Sequence, residues 1–228
     1  MRDEFQGELR QLGDDLAAMC RRAAAAMERA LHALLEADLA AAEQVITDVD
    51  LIHLAAVSCD EHASNLLALQ SPVARDLRLV VSAIRMSEKI GRMGDLARHV
   101  AEIARRRHPQ TAIPADLNSR FAAMGQHAIA IAHTTERAIT MPSTVNADEF
   151  EREDDQIDQL QRELLELVCA RDAGYSVQVG VDVSLLVRFV ERFADQAVGV
   201  TRQLDFVATG QLPHRPSATK PDQAPELR

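Results

Sequence analysis

The sequence predicts an all-α protein of six long helices packed as antiparallel neighbours. Composition is the first observation behind this. The 228 residues are 47% hydrophobic and 26% charged, with no Trp, one Tyr and nine Gly, and they are rich in Ala, Leu, Arg, Asp and Glu, which mostly form or cap helices. Proline placement is the second: Pro72, Pro109, Pro114 and Pro142 fall between long proline-free stretches, as required when an interior proline would break a helix. The third is periodicity, with apolar residues returning every three or four positions inside those stretches. Helices of this length with short connections bury their stripes against each other.

The first helix is expected over about Asp3 to Glu36, where Leu9, Leu12, Leu16, Met19, Met27, Leu31, Leu34 and Leu35 form one apolar stripe. The second runs from about Asp38 to Leu69. The third runs from Pro72 to Arg107 with proline in its first turn, where the missing N–H costs nothing. The fourth spans about Ala115 to Thr140. Asn146 followed by Glu149 resembles a capping box and opens the fifth, which continues to about Arg171. The sixth spans about Val177 to Ala208 and stops at Gly210. From Gly210 to Arg228, four prolines among polar residues leave too little apolar surface to bury, so this tail is expected to be disordered.

Charge and cysteine usage narrow the function. A formal charge of −10 argues against nucleic acid as a partner, because phosphate neutralisation needs a clustered basic surface. The one tight basic cluster, Arg105 to Arg107, sits at a helix end, where cations suit the dipole. Cys20, Cys59 and Cys169 are far apart and match no metal or redox spacing, so they read as small buried apolar groups in a reducing compartment. The N-terminus lacks a signal-like apolar core, and no run of 18 apolar residues occurs. A soluble, cytoplasmic protein is expected.

The two halves correspond as a repeat. Ile84 to Ala97 (IRMSEKIGRMGDLA) aligns with Ser184 to Ala197 (SLLVRFVERFADQA) at an offset of 100 residues, pairing Arg92 with Arg192 and Asp95 with Asp195. Asp48 to Leu54 aligns with Glu153 to Gln159 at an offset of 105. Hairpin geometry then sharpens the second half, because residues equidistant from a turn lie level in an antiparallel pair. About the turn near Gly174, Asp154 and Asp158 stand level with Glu191 and Asp195. Each pair is spaced i, i+4, which places both carboxylates on one helical face, with Cβ atoms about 5 to 6 Å apart. Such a cluster is either a solvated face paired with arginine (Arg152, Arg162, Arg188 and Arg192 are near in sequence) or an oxygen-donor site for a divalent metal or iron.

The first half is poorer in ligands. Its equivalent positions hold Val49, His53, Gly91 and Asp95, so only His53 and Asp95 can donate, with Glu88 and His99 one turn to either side. His53 and His99 taken alone read as ordinary histidines. Gly91 and Gly94, both inside a helix, suggest a close helix approach or a bend.

The segment LLALQSPVARDLRLVVSAIRMSEKIGRMGDLA, Leu66 to Ala97, closely resembles the PhoU family of phosphate-signalling proteins, actinobacterial members most of all. The preceding segment ALHALLEADLAAAEQVITDVDLI and the later DDQID and ERFAD extend the likeness to about residues 5–208. The resemblance implies two tandem three-helix bundles, residues 1–110 and 111–209, followed by the tail. It also implies a cytoplasmic negative regulator of phosphate uptake that acts without substrate chemistry. Its implied partners are a phosphate ABC transporter ATPase and a phosphate-sensing histidine kinase, reaching the membrane only through them, and it is expected to form a homodimer. In the family, acidic motifs on the second and third helices of each bundle can hold metal clusters. Asp154, Asp158, Glu191 and Asp195 match those motifs as ligands for Fe, Zn, Mn or Mg, whereas Asp95 alone remains in the first bundle. Two rivals stand beside this reading: an iron-carboxylate oxidase or hydrolase, although no Glu-x-x-His pair occurs in the fifth and sixth helices, and a structural dimerising module.

Overall fold

The apolar stripes become six helices in the computed structural model, which describes residues 2–141, 147–170 and 174–211. They are α1 (Arg2–Glu36), α2 (Leu39–Gln70), α3 (Ala74–Arg107), α4 (Asn118–Thr140), α5 (Ala147–Cys169) and α6 (Val177–Thr209), with no strand among the described residues. Several ends follow from local chemistry. Asp38 caps α2 by accepting the Ala41 N–H at 3.0 Å, and Ser176 caps α6 by accepting that of Val179 at 3.3 Å, each satisfying an amide the helix itself cannot. Gly210, left-handed at φ 75°, ends α6 and donates its N–H to the Phe206 carbonyl.

Three starts and ends differ from expectation. Pro72 lies outside α3, because Ser71 takes a left-handed conformation to close α2 and Val73 is extended. The chain uses residues 71–73 to reverse direction. Helix α4 begins at Asn118, since Leu117 and Asn118 donate to the carbonyls of Pro114 and Ala115, a tighter i to i+3 turn that precedes the α-helix. Cys169 ends α5 and is exposed, unlike buried Cys20 and Cys59. Burial pushes the Cys20 and Cys59 thiols up to about 12, so they stay protonated and inert. The Asn146 cap and the tail from residue 212 onward lie outside the described residues.

Helices α1, α2 and α3 pack on one another, as do α4, α5 and α6; α3 also packs along α6, and α1 along α4. The four helices α1, α3, α4 and α6 thus share one continuous core, flanked by α2 on one side and α5 on the other. Cross-contacts fix the direction of the α3–α6 seam. Arg107 reaches Asp182, His99 faces Phe189, Lys89 lies against Gly199, and Arg78 donates to the Val207 carbonyl. One number falls as the other rises, so the helices are antiparallel and the repeat meets itself about an internal two-fold near residues 94 and 194.

Close approaches use glycine. A Cβ on Gly94 would stand 3.2 Å from Ile52 and 3.3 Å from Val49, which is the close α2–α3 contact expected there. Gly91 meets only His53 Nδ1 at 3.9 Å. Gly125 is tighter, with a Cβ placed 2.4 Å from Cδ1 of buried Leu31 across the α1–α4 contact. Replacing Gly125 by Ala is expected to cost about 1 kcal/mol net, because overpacking of about 1 to 3 kcal/mol exceeds the gain in helix propensity. Chemical denaturation checks this, and combining it with Leu31→Ala should cost less than the two single changes added together.

Candidate functional site

The acidic quartet sits on the outer hairpin of α5 and α6. Asp154 and Asp158 come from α5, and Glu191 and Asp195 come from α6. Acids of the two helices lie within electrostatic reach of one another: Asp154 feels Asp158 and Asp195, while Glu191 feels Asp195 and Asp158. Asp154, Glu191 and Asp195 all hold their protons above the ordinary carboxylate values, first because partial burial disfavours the charged form. Neighbouring carboxylates add to the rise.

Arginine offsets part of this repulsion. Arg188 donates to Glu191 at 2.6 Å, and Arg188, Arg202 and Arg192 all favour the charged form of Asp195. Arg162 instead donates to the backbone carbonyl of Asp158. Arg202 was not legible from spacing; it lies seven residues beyond Asp195, two helical turns further along α6.

The donor set is all oxygen and incompletely neutralised, with Asp154 and Glu191 partly buried and Asp158 and Asp195 exposed, which suits a hard cation. As the side chains stand, no group of three or more His, Cys, Asp or Glu among the described residues converges on one point. Glu191 is turned onto Arg188, so loading a cation requires Glu191 to release it. The charges favour a cation, and the side chains as they stand do not close around one.

The first half is arranged differently. Asp95, the one acid left there, bonds His53 Nε2 at 2.9 Å and Arg92 at 3.1 Å, so both its oxygens are engaged. Val49 is fully buried against Gly94, and Asp50 pairs with Arg98. Glu88 is exposed, and His99 bonds Glu102 at 3.3 Å. Asp95 therefore serves a His–Asp–Arg network and is not grouped with other acids.

A pH dependence follows from the quartet. Asp154, Glu191 and Asp195 bind protons more tightly folded than unfolded, so between their ordinary values, 3.8, 4.5 and 3.8, and the raised ones the folded state carries more protons. Stability of the metal-free chain then falls as pH rises through that window. Asp195→Asn should raise the melting temperature in chelator at neutral pH, with a gain that shrinks on acidification. Thermal melts across pH check this, and no gain at neutral pH would contradict it.

Comparison with known proteins fits this architecture. The PhoU domain model matches twice, at residues 16–104 and 121–204, one match per half. The chain is a member of the PhoU family. A Mycobacterium tuberculosis relative, the phosphate-specific transport system accessory protein PhoU homolog 2, is 47% identical over 213 residues, covering 93% of this chain and 100% of that one. The corresponding homolog 1 from Mycobacterium leprae is 46% identical over 213 residues, covering 93% and 96%. Among solved structures, PhoU from Streptococcus pneumoniae superposes with a TM-score of 0.79 at 24% identity, covering 91% of this chain and 98% of that one; this likeness is one of fold. The two PhoU matches straddle the α3–α6 seam, which places the quartet in the second and the His53–Asp95 network in the first.

Proposed function

We propose that this chain is a cytoplasmic regulator of phosphate homeostasis. It restrains phosphate uptake and the starvation response by binding a phosphate ABC transporter ATPase and a phosphate-sensing histidine kinase, and it works as a homodimer. The supporting observation is the end-to-end identity with a phosphate-specific transport system accessory protein, 47% over 213 residues. No described helix is long and apolar enough to cross a membrane, so the reading assigns membrane contact to the partners. Exposed apolar side chains supply docking surface, notably Leu51, Leu54 and Val57 on α2, and Val177, Val181 and Leu185 on α6.

Regulation by binding requires that partner affinity differ between two states of the chain. Asp154, Asp158, Glu191 and Asp195 would hold a divalent cation or iron on the second half, where it would supply the charge that Arg188, Arg192 and Arg202 supply only in part. The chain's own residues set how easily it loads: Arg188 competes for Glu191, and repulsion across the hairpin favours occupancy.

A deletion strain carrying a starvation-responsive reporter tests the reading. Reporter output should rise in high phosphate without the gene and fall on its return, and the ATPase and kinase should co-purify with the chain. Normal reporter output in the deletion strain, or loss of both interactions in high phosphate, would refute it.

A further inference from the structure

A second cluster of charge lies where α3 meets α6, close to the internal two-fold. Arg92 and His99 of α3 and Arg188, Arg192 and Gln196 of α6 line a cleft of about 150 Å³, floored in part by Phe189. The repeat-equivalent arginines, Arg92 and Arg192, both reach it. The volume equals about five waters at roughly 30 Å³ each, and it is below the roughly 300 to 1,000 Å³ of sites for drug-sized ligands. It suits a small ion with part of its hydration shell.

Three guanidiniums line the cleft. Asp95 is the one carboxylate in the lining, and both its oxygens are taken, one by His53 and the other by Arg92. Arg188 spends one nitrogen on Glu191. Arg192 forms no hydrogen bond or ion pair among the described residues and acts on Asp195 only at a distance. Each guanidinium carries five N–H donors in a planar fork, so most of the donors remain free for a ligand. Glu191 and Asp195 stand just beyond the lining, so the three guanidiniums meet three carboxylates, and what the cleft offers an anion is the N–H donors those carboxylates leave unused. Planar forks on two facing helices match the oxygens of a tetrahedral oxoanion, and the Gln196 amide and His99 imidazole add further donors.

We propose that this seam cleft is an oxoanion site for a small phosphoryl-type anion, held by Arg92, Arg188 and Arg192. It stands on the chemistry of the cleft and is independent of the regulatory reading, since a chain that regulates nothing can still bind the anion. Two of these arginines also face the acidic quartet, Arg188 bonding Glu191 and Arg192 acting on Asp195, so the anion and the carboxylates compete for them.

Isothermal titration of the full chain with inorganic phosphate, in chelator, tests the site. Saturable binding at millimolar concentration or tighter is expected, weakened about tenfold or more by Arg92→Glu and by Arg192→Glu. The exposed control Arg22→Glu, which changes net charge equally, should leave affinity unaltered. Arg192→Gln, read beside its melting temperature, separates loss of a donor from loss of fold. Tighter binding of ADP, abolished by the same variants, would support the site with a nucleotide's phosphates as the source. Absence of saturable binding by both phosphate and ADP, or equal weakening by Arg22→Glu, would overturn the proposal.

Discussion

Replacing Arg107 by Ala should destabilise the chain by about 3 kcal/mol or more, the expected result of stranding a buried carboxylate. Asp182 is 1% exposed on α6, and Arg107 at the end of α3 pairs with it directly, with Arg106 at 3.8 Å and the Gln178 amide at 3.3 Å. The remaining partners are too distant or too weak to replace a charged hydrogen bond. A change that removes both charges, Arg107→Leu with Asp182→Leu, should recover most of the loss, because two apolar side chains carry no desolvation cost. Denaturation midpoints of the single and double variants check the pair. Equal destabilisation in both would show that Arg107 acts through packing alone.

The double replacement Glu191→Ala, Asp195→Ala should abolish metal binding by the second half and raise the melting temperature of the metal-free chain. Two of four oxygen donors are lost, both from α6, and the partners left on α5 span only one face. The stability gain follows from the same geometry: at neutral pH each ionised carboxylate in the hairpin is held against burial and against its neighbours. Metal content by elemental analysis, alongside melting in chelator, reads both effects. Unchanged metal content would refute the assignment of these ligands, whatever the melting temperature does. Asp95→Asn should leave metal content unaltered, since that carboxylate is committed to His53 and Arg92.

The helices were legible because their signals are local. Periodic leucines from Leu9 to Leu34 are buried almost without exception, and Gly210 ends α6 as its missing side chain suggests. The proximity of α5 acids to α6 acids was legible too, since one hairpin and one turn bring Asp154 near Asp195 and Asp158 near Glu191. Features that need two distant segments were harder to see. Arg105 to Arg107 looked like a favourable helix end, and they do lie in the last turn of α3. Their engagement of Asp182 depends on the α3–α6 seam, which no spacing along the chain encodes. A signal did exist: in VQVGVDVSLLV a lone acid interrupts an apolar run, and a buried charge needs a partner. The seam cleft has no signature along the chain for the same reason: Arg92 and Arg192 stand 100 residues apart as equivalents in a repeat, and only folding brings both to one cleft. Pro72 lies in the connection before α3 and not in its first turn, because proline suits both places.

The antiparallel α3–α6 seam resembles the interface of a two-fold dimer, with both copies on one polypeptide. In a dimer of identical subunits every substitution appears twice, and neither copy can change alone. Joining the copies removes that constraint. One half has Val49, His53 and Gly91 where the other has Asp154, Asp158 and Glu191, and so presents a packed, hydrogen-bonded face, while the other keeps a cluster in which Asp154, Glu191 and Asp195 resist ionisation. The covalent link lets the two halves of a single molecule carry different residues at equivalent positions.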